Sequence, residues 1–126
     1  MNHQNNDASR YFIYARKSSE SEDRQMASID SQIDELTKQA QENNLNVVQV
    51  FSESKSAKAP GRTVFADMMQ RIKKGEADGI ICWKLNRLAR NPIDGGEVSW
   101  MLQQNIVKHI FTYGRSYYPT DNVIVM

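Results

Sequence analysis

Arg87 and Arg90 stand three residues apart in the run Trp83-Lys84-Leu85-Asn86-Arg87-Leu88-Ala89-Arg90-Asn91-Pro92, and Leu85 and Leu88 repeat the same spacing. A helical turn here places both guanidiniums on one face and both leucines on another. Arg16 precedes Ser18 by two residues in Tyr11-Phe12-Ile13-Tyr14-Ala15-Arg16-Lys17-Ser18, and Arg62 follows Gly61. A guanidinium presents a fixed fork of donors that matches phosphate oxygens. Several forks around one point can hold a trigonal-bipyramidal phosphorus as its negative charge grows. The chemistry that suits these residue types is phosphoryl transfer. A covalent version needs a nucleophile, and the candidates are Ser18, Ser19, Ser54 and Ser56. Ser18 is the best placed, directly after an aromatic and β-branched run.

Other chemistries have less support. His3 lies in a polar N-terminal run and His109 in an apolar one, so no histidine-based triad is expected. Glu53 is the only acid in the segments that end the expected strands, which argues against a metal site, and no cofactor is expected. Neither G-x-G-x-x-G nor G-x-x-x-x-G-K-[ST] follows any strand-like run. A phosphoacceptor receiver domain needs clustered acids at strand ends, where this chain has cations. The single cysteine, Cys82, lies within Ile80-Ile81-Cys82-Trp83 and reads as a buried structural thiol.

The elements that must carry these residues alternate in type. Tyr11 to Ala15 reads as a buried strand. Ile29, Ile33, Leu36 and Ala40 mark one face of a helix capped by Ser28 and ended by Asn43-Asn44. Val47 to Phe51 is a second strand, followed by a loop from Ser52 to Gly61. Phe65, Met68, Met69 and Ile72 give a second helix that Gly75 stops, and Ile80 to Trp83 a third strand. Asn91-Pro92 starts a helix that buries Val98, Met101 and Leu102, with Gly95 and Gly96 weakening its first turns or admitting a close approach. Ile106 to Thr112 is a fourth strand, and Val123 to Met126 opens a fifth or another element.

This order predicts an α/β fold, a three-layer, doubly wound, mostly parallel sheet of four to five strands with helices on both faces. Ligands of such sheets bind beyond the carboxyl ends of the strands. Those ends are Arg16-Lys17-Ser18, Ser52 to Arg62, Lys84 to Arg90 and Tyr113-Gly114-Arg115. Four separate segments are thus expected to bring Arg16, Ser18, Ser56, Arg62, Arg87, Arg90 and Arg115 to one edge.

The chain has 126 residues, 40% hydrophobic and 25% charged, which matches one domain of roughly 100–150 residues. Residues 1–10 read as a disordered tail and 11–126 as the domain. No uncharged apolar run approaches the ~20 residues of a membrane span and no signal peptide is evident, so a cytoplasmic protein without membrane contact is expected. Net charge is only +1, but acids gather between Glu20 and Glu42 while the middle of the chain is basic.

The motifs resemble the N-terminal catalytic domain of the serine recombinases, the resolvase and invertase group, and most of all the large serine recombinases of mobile elements. Tyr14-Ala15-Arg16-Lys17-Ser18 resembles the family's Tyr-x-Arg-x-Ser, Ser28-Ile29-Asp30-Ser31-Gln32 its Ser-hydrophobic-x-x-Gln, Gly61-Arg62-x-x-Phe65 its third motif, and Leu85-Asn86-Arg87-Leu88-Ala89-Arg90 its Leu-Asp-Arg-Leu-x-Arg. The resemblance implies that Ser18 attacks a DNA phosphodiester, forming a 5′-phosphoserine link and releasing a 3′-hydroxyl. It implies that Arg16, Arg62, Arg87 and Arg90 bind phosphate and stabilise the transition state, with Gln32 in the active site and Ser56 and Gln25 as looser, supporting matches. No metal, other cofactor or small-molecule substrate is implied. The implied partners are double-stranded DNA, reached through a longer parent protein, and further copies of the chain in a dimer and a synaptic tetramer.

Two departures bear on this. Asn86 replaces the usual aspartate, and an amide can orient a phosphate or an arginine but cannot titrate. The chain also stops at Met126, before the family's long oligomerisation helix and DNA-binding region. The expectation is an excised catalytic domain that is inactive by itself. The alternative is a degenerate, non-catalytic domain used for subunit pairing.

Overall fold

Every side chain of the first strand, β1 (Tyr11–Arg16), is buried, and the alternation of a strand sends them into two different cores. Tyr11 and Ile13 pack with Leu36, Ala40 and Ile81. Phe12 and Tyr14 enter a larger cluster with Phe51, Phe65, Met68, Met69, Val98 and Met101. The computed structural model describes residues 8–18, 27–54 and 60–121, and β1 is the strand around which these are arranged.

The elements after β1 are α1 (Ile29–Glu42), β2 (Val47–Glu53), α2 (Thr63–Lys73), β3 (Gly79–Cys82), α3 (Leu85–Leu88), α4 (Pro92–Gln103), β4 (His109–Thr112) and β5 (Arg115–Tyr117). The sheet order is β2-β1-β3-β4-β5. The first four strands are parallel, and β5 pairs antiparallel with β4. With α1 on one face and α2 and α4 on the other, this is the three-layer doubly wound fold that the β and α alternation predicts.

Local chemistry sets the boundaries. The Ser28 hydroxyl accepts from Ser31 N at 3.1 Å and caps α1. The Asn91 side chain accepts from Asp94 N at 2.9 Å and caps α4, with Pro92 as its first helical residue. Gly75, at φ +89°, follows the end of α2. Gly96 lies in open space, so no neighbour approaches it closely. No helix among the described residues is long and apolar enough to cross a membrane.

One expected boundary moves. The fourth strand starts at His109 and not at Ile106, because the amides of Ile106 and Val107 donate to Met101 O and finish the end of α4. The fifth strand follows β4 at once through Tyr113-Gly114, where Gly114 has φ +97°. Val123 to Met126 lie outside the described residues, as do residues 1–7 of the expected tail. Ser9 and Arg10, at the tail's end, are tied down: both of their amides donate to Asp78 Oδ1, at 2.9 and 3.0 Å.

Gly79 begins β3 under the ring of Tyr11. A Cβ there would overlap Tyr11 Cδ2 and come within 2.8 Å of Ala8 Cβ. Gly79→Ala is expected to cost about 1–3 kcal/mol, read as a lower denaturant midpoint with an unchanged slope.

Candidate active site at the carboxyl edge of the sheet

Strand order reverses direction at β1, with β2 on one side and β3 on the other, so the crevice of this sheet opens beyond β1 and β3. Arg16 ends β1, and Ser18 follows it half-buried. β3 leads through Trp83 and Lys84 into the single turn of α3, which carries Arg87. Trp83 stacks flat on Tyr113 at 4.6 Å, joining the ends of β3 and β4 beyond the ladder.

A helix leaves its last carbonyls without partners inside the helix. In α3 two consecutive ones are taken by buried arginines: Arg16 Nε donates to Arg87 O at 2.9 Å and Arg62 Nη2 to Leu88 O at 2.7 Å. Arg16 is 1% exposed and Arg62 2%. Gln32, fully buried on α1, holds the backbone of Arg16 from both sides. Its Nε2 donates to Arg16 O at 3.1 Å, and its Oε1 accepts from Arg16 N at 3.4 Å. The end of the strand that leads to Ser18 is thereby fastened to α1 and to the arginine turn.

Arg62 sits in a buried polar chain. Its Nη1 donates to Tyr14 Oη at 3.0 Å and its Nη2 to Asp94 Oδ2 at 3.1 Å, while the guanidinium lies 4.0 Å from the centre of the Phe65 ring. Tyr14 Oη donates to Glu53 Oε1 at 2.6 Å. Glu53 also accepts from the amides of Val64 and Phe65 at 3.0 and 3.1 Å. Those amides open α2, whose N-cap residue, Arg62, makes no side-chain cap bond. Asn91 Nδ2 donates to the other side of the chain, at Asp94 Oδ2, 2.8 Å away.

The sequence reading brought Arg16, Ser18, Ser56, Arg62, Arg87, Arg90 and Arg115 to one edge. The structure gathers Arg16, Arg62 and the α3 turn there. Arg87 and Arg90 are half-buried and Asn86 is exposed. They do not share one helix face, because α3 ends at Leu88 and Ala89 is extended, at φ −154° and ψ 139°. Arg115 is exposed on β5, over the Tyr117 ring at 4.7 Å, and not in this network. Ser54 is exposed. Ser56, Gln25 and Ser19 lie outside the described residues. His109 is buried, with Nδ1 bonded to Tyr11 Oη at 2.7 Å and Nε2 to Ser116 Oγ at 2.9 Å, as a satisfied sheet histidine should be.

Residues 11–124 match the family described as Resolvase, N terminal domain. The chain belongs to that family. Solved structures share the resolvase fold. The N-terminal catalytic domain of TP901-1 integrase is 23% identical with a TM-score of 0.70, over 90% of this chain and 83% of that one. The C-terminal catalytic domain of ISC1926 TnpA, an IS607-like serine recombinase, is 23% identical with a TM-score of 0.66, over 82% and 68%. A resolvase family site-specific recombinase from Streptococcus pneumoniae is 26% identical with a TM-score of 0.66, over 90% and 78%. No curated protein matches the chain in sequence.

The resolvase motifs include Tyr14 but give it no role, and they pass over Glu53 and Asp94; these three decide how Arg62 is held. Asp94 left one signal: it stands three residues after the Asn91 cap, where an acid is favoured in a first helical turn.

Two groups have measurable consequences. Burial pushes the Cys82 thiol up to about 12, so it is expected to resist alkylation in the native protein and to react on unfolding. Burial also raises the Tyr14 phenol well above its ordinary 10.0; Arg62 opposes the rise and Glu53 adds to it. Unfolded tyrosine loses its proton as pH passes 10.0 while the folded group keeps it, so its contribution to stability is intact below that pH and falls above it. Tyr14→Phe is expected to destabilise the domain by about 1–3 kcal/mol near neutral pH. Paired urea titrations should show that deficit narrowing on the alkaline side.

Proposed function

We propose that this resolvase domain performs the DNA cleavage and rejoining of a serine-type site-specific recombinase, with Ser18 as the nucleophile. The observation that carries the assignment is the double attachment of Arg16. Its backbone leads to Ser18, and its guanidinium holds the carbonyl of Arg87, so one residue couples the nucleophile's strand to the cationic turn.

Ser18 Oγ attacks the scissile phosphorus and gives up its proton. The new bond is Oγ to phosphorus, and the bond that breaks is phosphorus to O3′. The departing oxygen takes a proton and becomes a 3′-hydroxyl, while the 5′-phosphate stays on the serine. Attack by a 3′-hydroxyl reverses each change and rejoins the strand, so the bond energy is kept without a nucleotide triphosphate. As charge accumulates on the phosphorus oxygens, Arg87 and Arg90 supply donors that need no reorganisation. Arg16, Gln32 and Arg62 complete the site behind them. Asn86, exposed at the head of the turn, can donate a hydrogen bond to a phosphate but cannot carry the proton.

In this reading the macromolecular partners are double-stranded DNA and further copies of the recombinase in a synaptic tetramer, and the setting is the cytoplasm. Where the recombinase carrying this domain acts on its own DNA site, Ser18→Ala should abolish both recombination and the covalent protein–DNA adduct. Arg87→Ala should lower the cleavage rate by about 100-fold or more. Strand exchange by the Ser18→Ala protein would overturn the assignment.

A further inference from the structure

We infer that Arg62 and Asp94 form a positioning pair: together they hold the Leu88 carbonyl and so set the turn that carries Arg87 and Arg90, and Arg62 serves the phosphate through those two residues without touching it. The inference deepens the recombinase reading and rests on it.

Arg62 is as buried as the apolar core around it, and its two terminal nitrogens are engaged by Tyr14, Leu88 and Asp94. One face of the guanidinium is covered by the Phe65 ring at 4.0 Å. Its Nε has no acceptor among the described residues, and it is the atom that would respond if an anion entered. To reach a phosphate with its fork, Arg62 would have to give up a buried carboxylate at 3.1 Å and a carbonyl at 2.7 Å, leaving Asp94 charged and without its cation at about 9% exposure. Breaking one side of such a buried pair costs several kcal/mol, roughly 3–5. Arg87 and Arg90 are half-buried at the edge, whereas Arg62 is 2% exposed.

What the pair does in place is mechanical. Leu88 O belongs to the last residue of α3, and beyond it the chain turns extended at Ala89 toward Arg90. Asp94 is itself held by the Asn91 cap of α4, so the grip on the turn is referred to a twelve-residue helix. The turn between β3 and α4 is therefore fastened at its middle by an arginine that arrives from the start of α2.

The test uses the 126-residue chain, with inorganic phosphate as the probe and side-chain Nε–Hε resonances of the arginines as the readout. In the wild type, phosphate should shift Arg87 and Arg90 and leave Arg62 unmoved. Asp94→Asn keeps the shape and removes the charge. It should weaken phosphate binding severalfold and mobilise the Arg87 and Arg90 side chains in relaxation measurements, while amide exchange in β1 and β3 stays protected. An Arg62 resonance that shifts with phosphate, or tighter binding by Asp94→Asn, would mean that Arg62 is a direct ligand kept in reserve, and would overturn the inference. If the wild type shows no phosphate response at Arg87 or Arg90, the proposed site fails, and relaxation of those two side chains in Asp94→Asn still decides whether the pair positions the turn. Should Asp94→Asn not fold, the wild-type titration alone decides between the two roles of Arg62.

Discussion

A guanidinium in a protein interior must find acceptors for its protons or destabilise the fold. Among the described residues two are buried, Arg16 and Arg62, and both turn to α3, a helix of four residues whose final carbonyls have no partners within the helix. Each meets part of the other's deficit: Arg87 O and Leu88 O, adjacent in the chain, accept from arginines that come from the end of β1 and the start of α2. A single helical turn is too short to hold its shape alone. It is ordered here because distant elements grip it.

The same exchange of deficits runs along the rest of the edge. α2 starts at a residue whose side chain cannot cap it, and Glu53 at the end of β2 accepts from the amides of Val64 and Phe65 in its place. Tyr14 then bridges Glu53 to Arg62, and Asp94 links Arg62 to the cap of α4. Buried polar chains of this kind are stiff when every member is satisfied and costly when one is not. That property suits the recombinase chemistry proposed for this edge, in which guanidiniums would wait in place for a charge that exists only in the transition state.

Topology explains why the network lies at this edge. With β1 between β2 and β3, the loops after β1 and β3 diverge to opposite faces and leave a crevice at their carboxyl ends. At this edge the domain places Arg16 and the turn that carries Arg87. The strand end that leads to Ser18 and the turn that carries Arg87 are consequently neighbours although Arg16 and Arg87 are 71 residues apart.

Sequence alone determined most of the elements and the edge at which they converge. Apolar runs of strand length, helical spacing of Ile29, Leu36 and Ala40, and the caps Ser28, Asn91-Pro92 and Gly75 are local signals, and local hydrogen bonds and packing faces obey them. The family was legible in Tyr14 to Ser18 and Leu85 to Arg90 for the same reason: short motifs record chemistry at fixed spacing. The three-residue β5 was not legible, because a strand that short is defined by its partner β4 and by the left-handed turn at Gly114. Nor could sequence say which arginines would be buried. Arg16, Arg62, Arg87 and Arg90 have the same side chain, and whether each meets solvent or a carbonyl depends on acceptors from α3, α4 and β1 that only tertiary packing brings within 3 Å or so. Tertiary structure therefore divided the arginines, sending two inward to hold the turn and leaving two at the edge, because only assembled elements can offer a buried guanidinium the partners its charge requires.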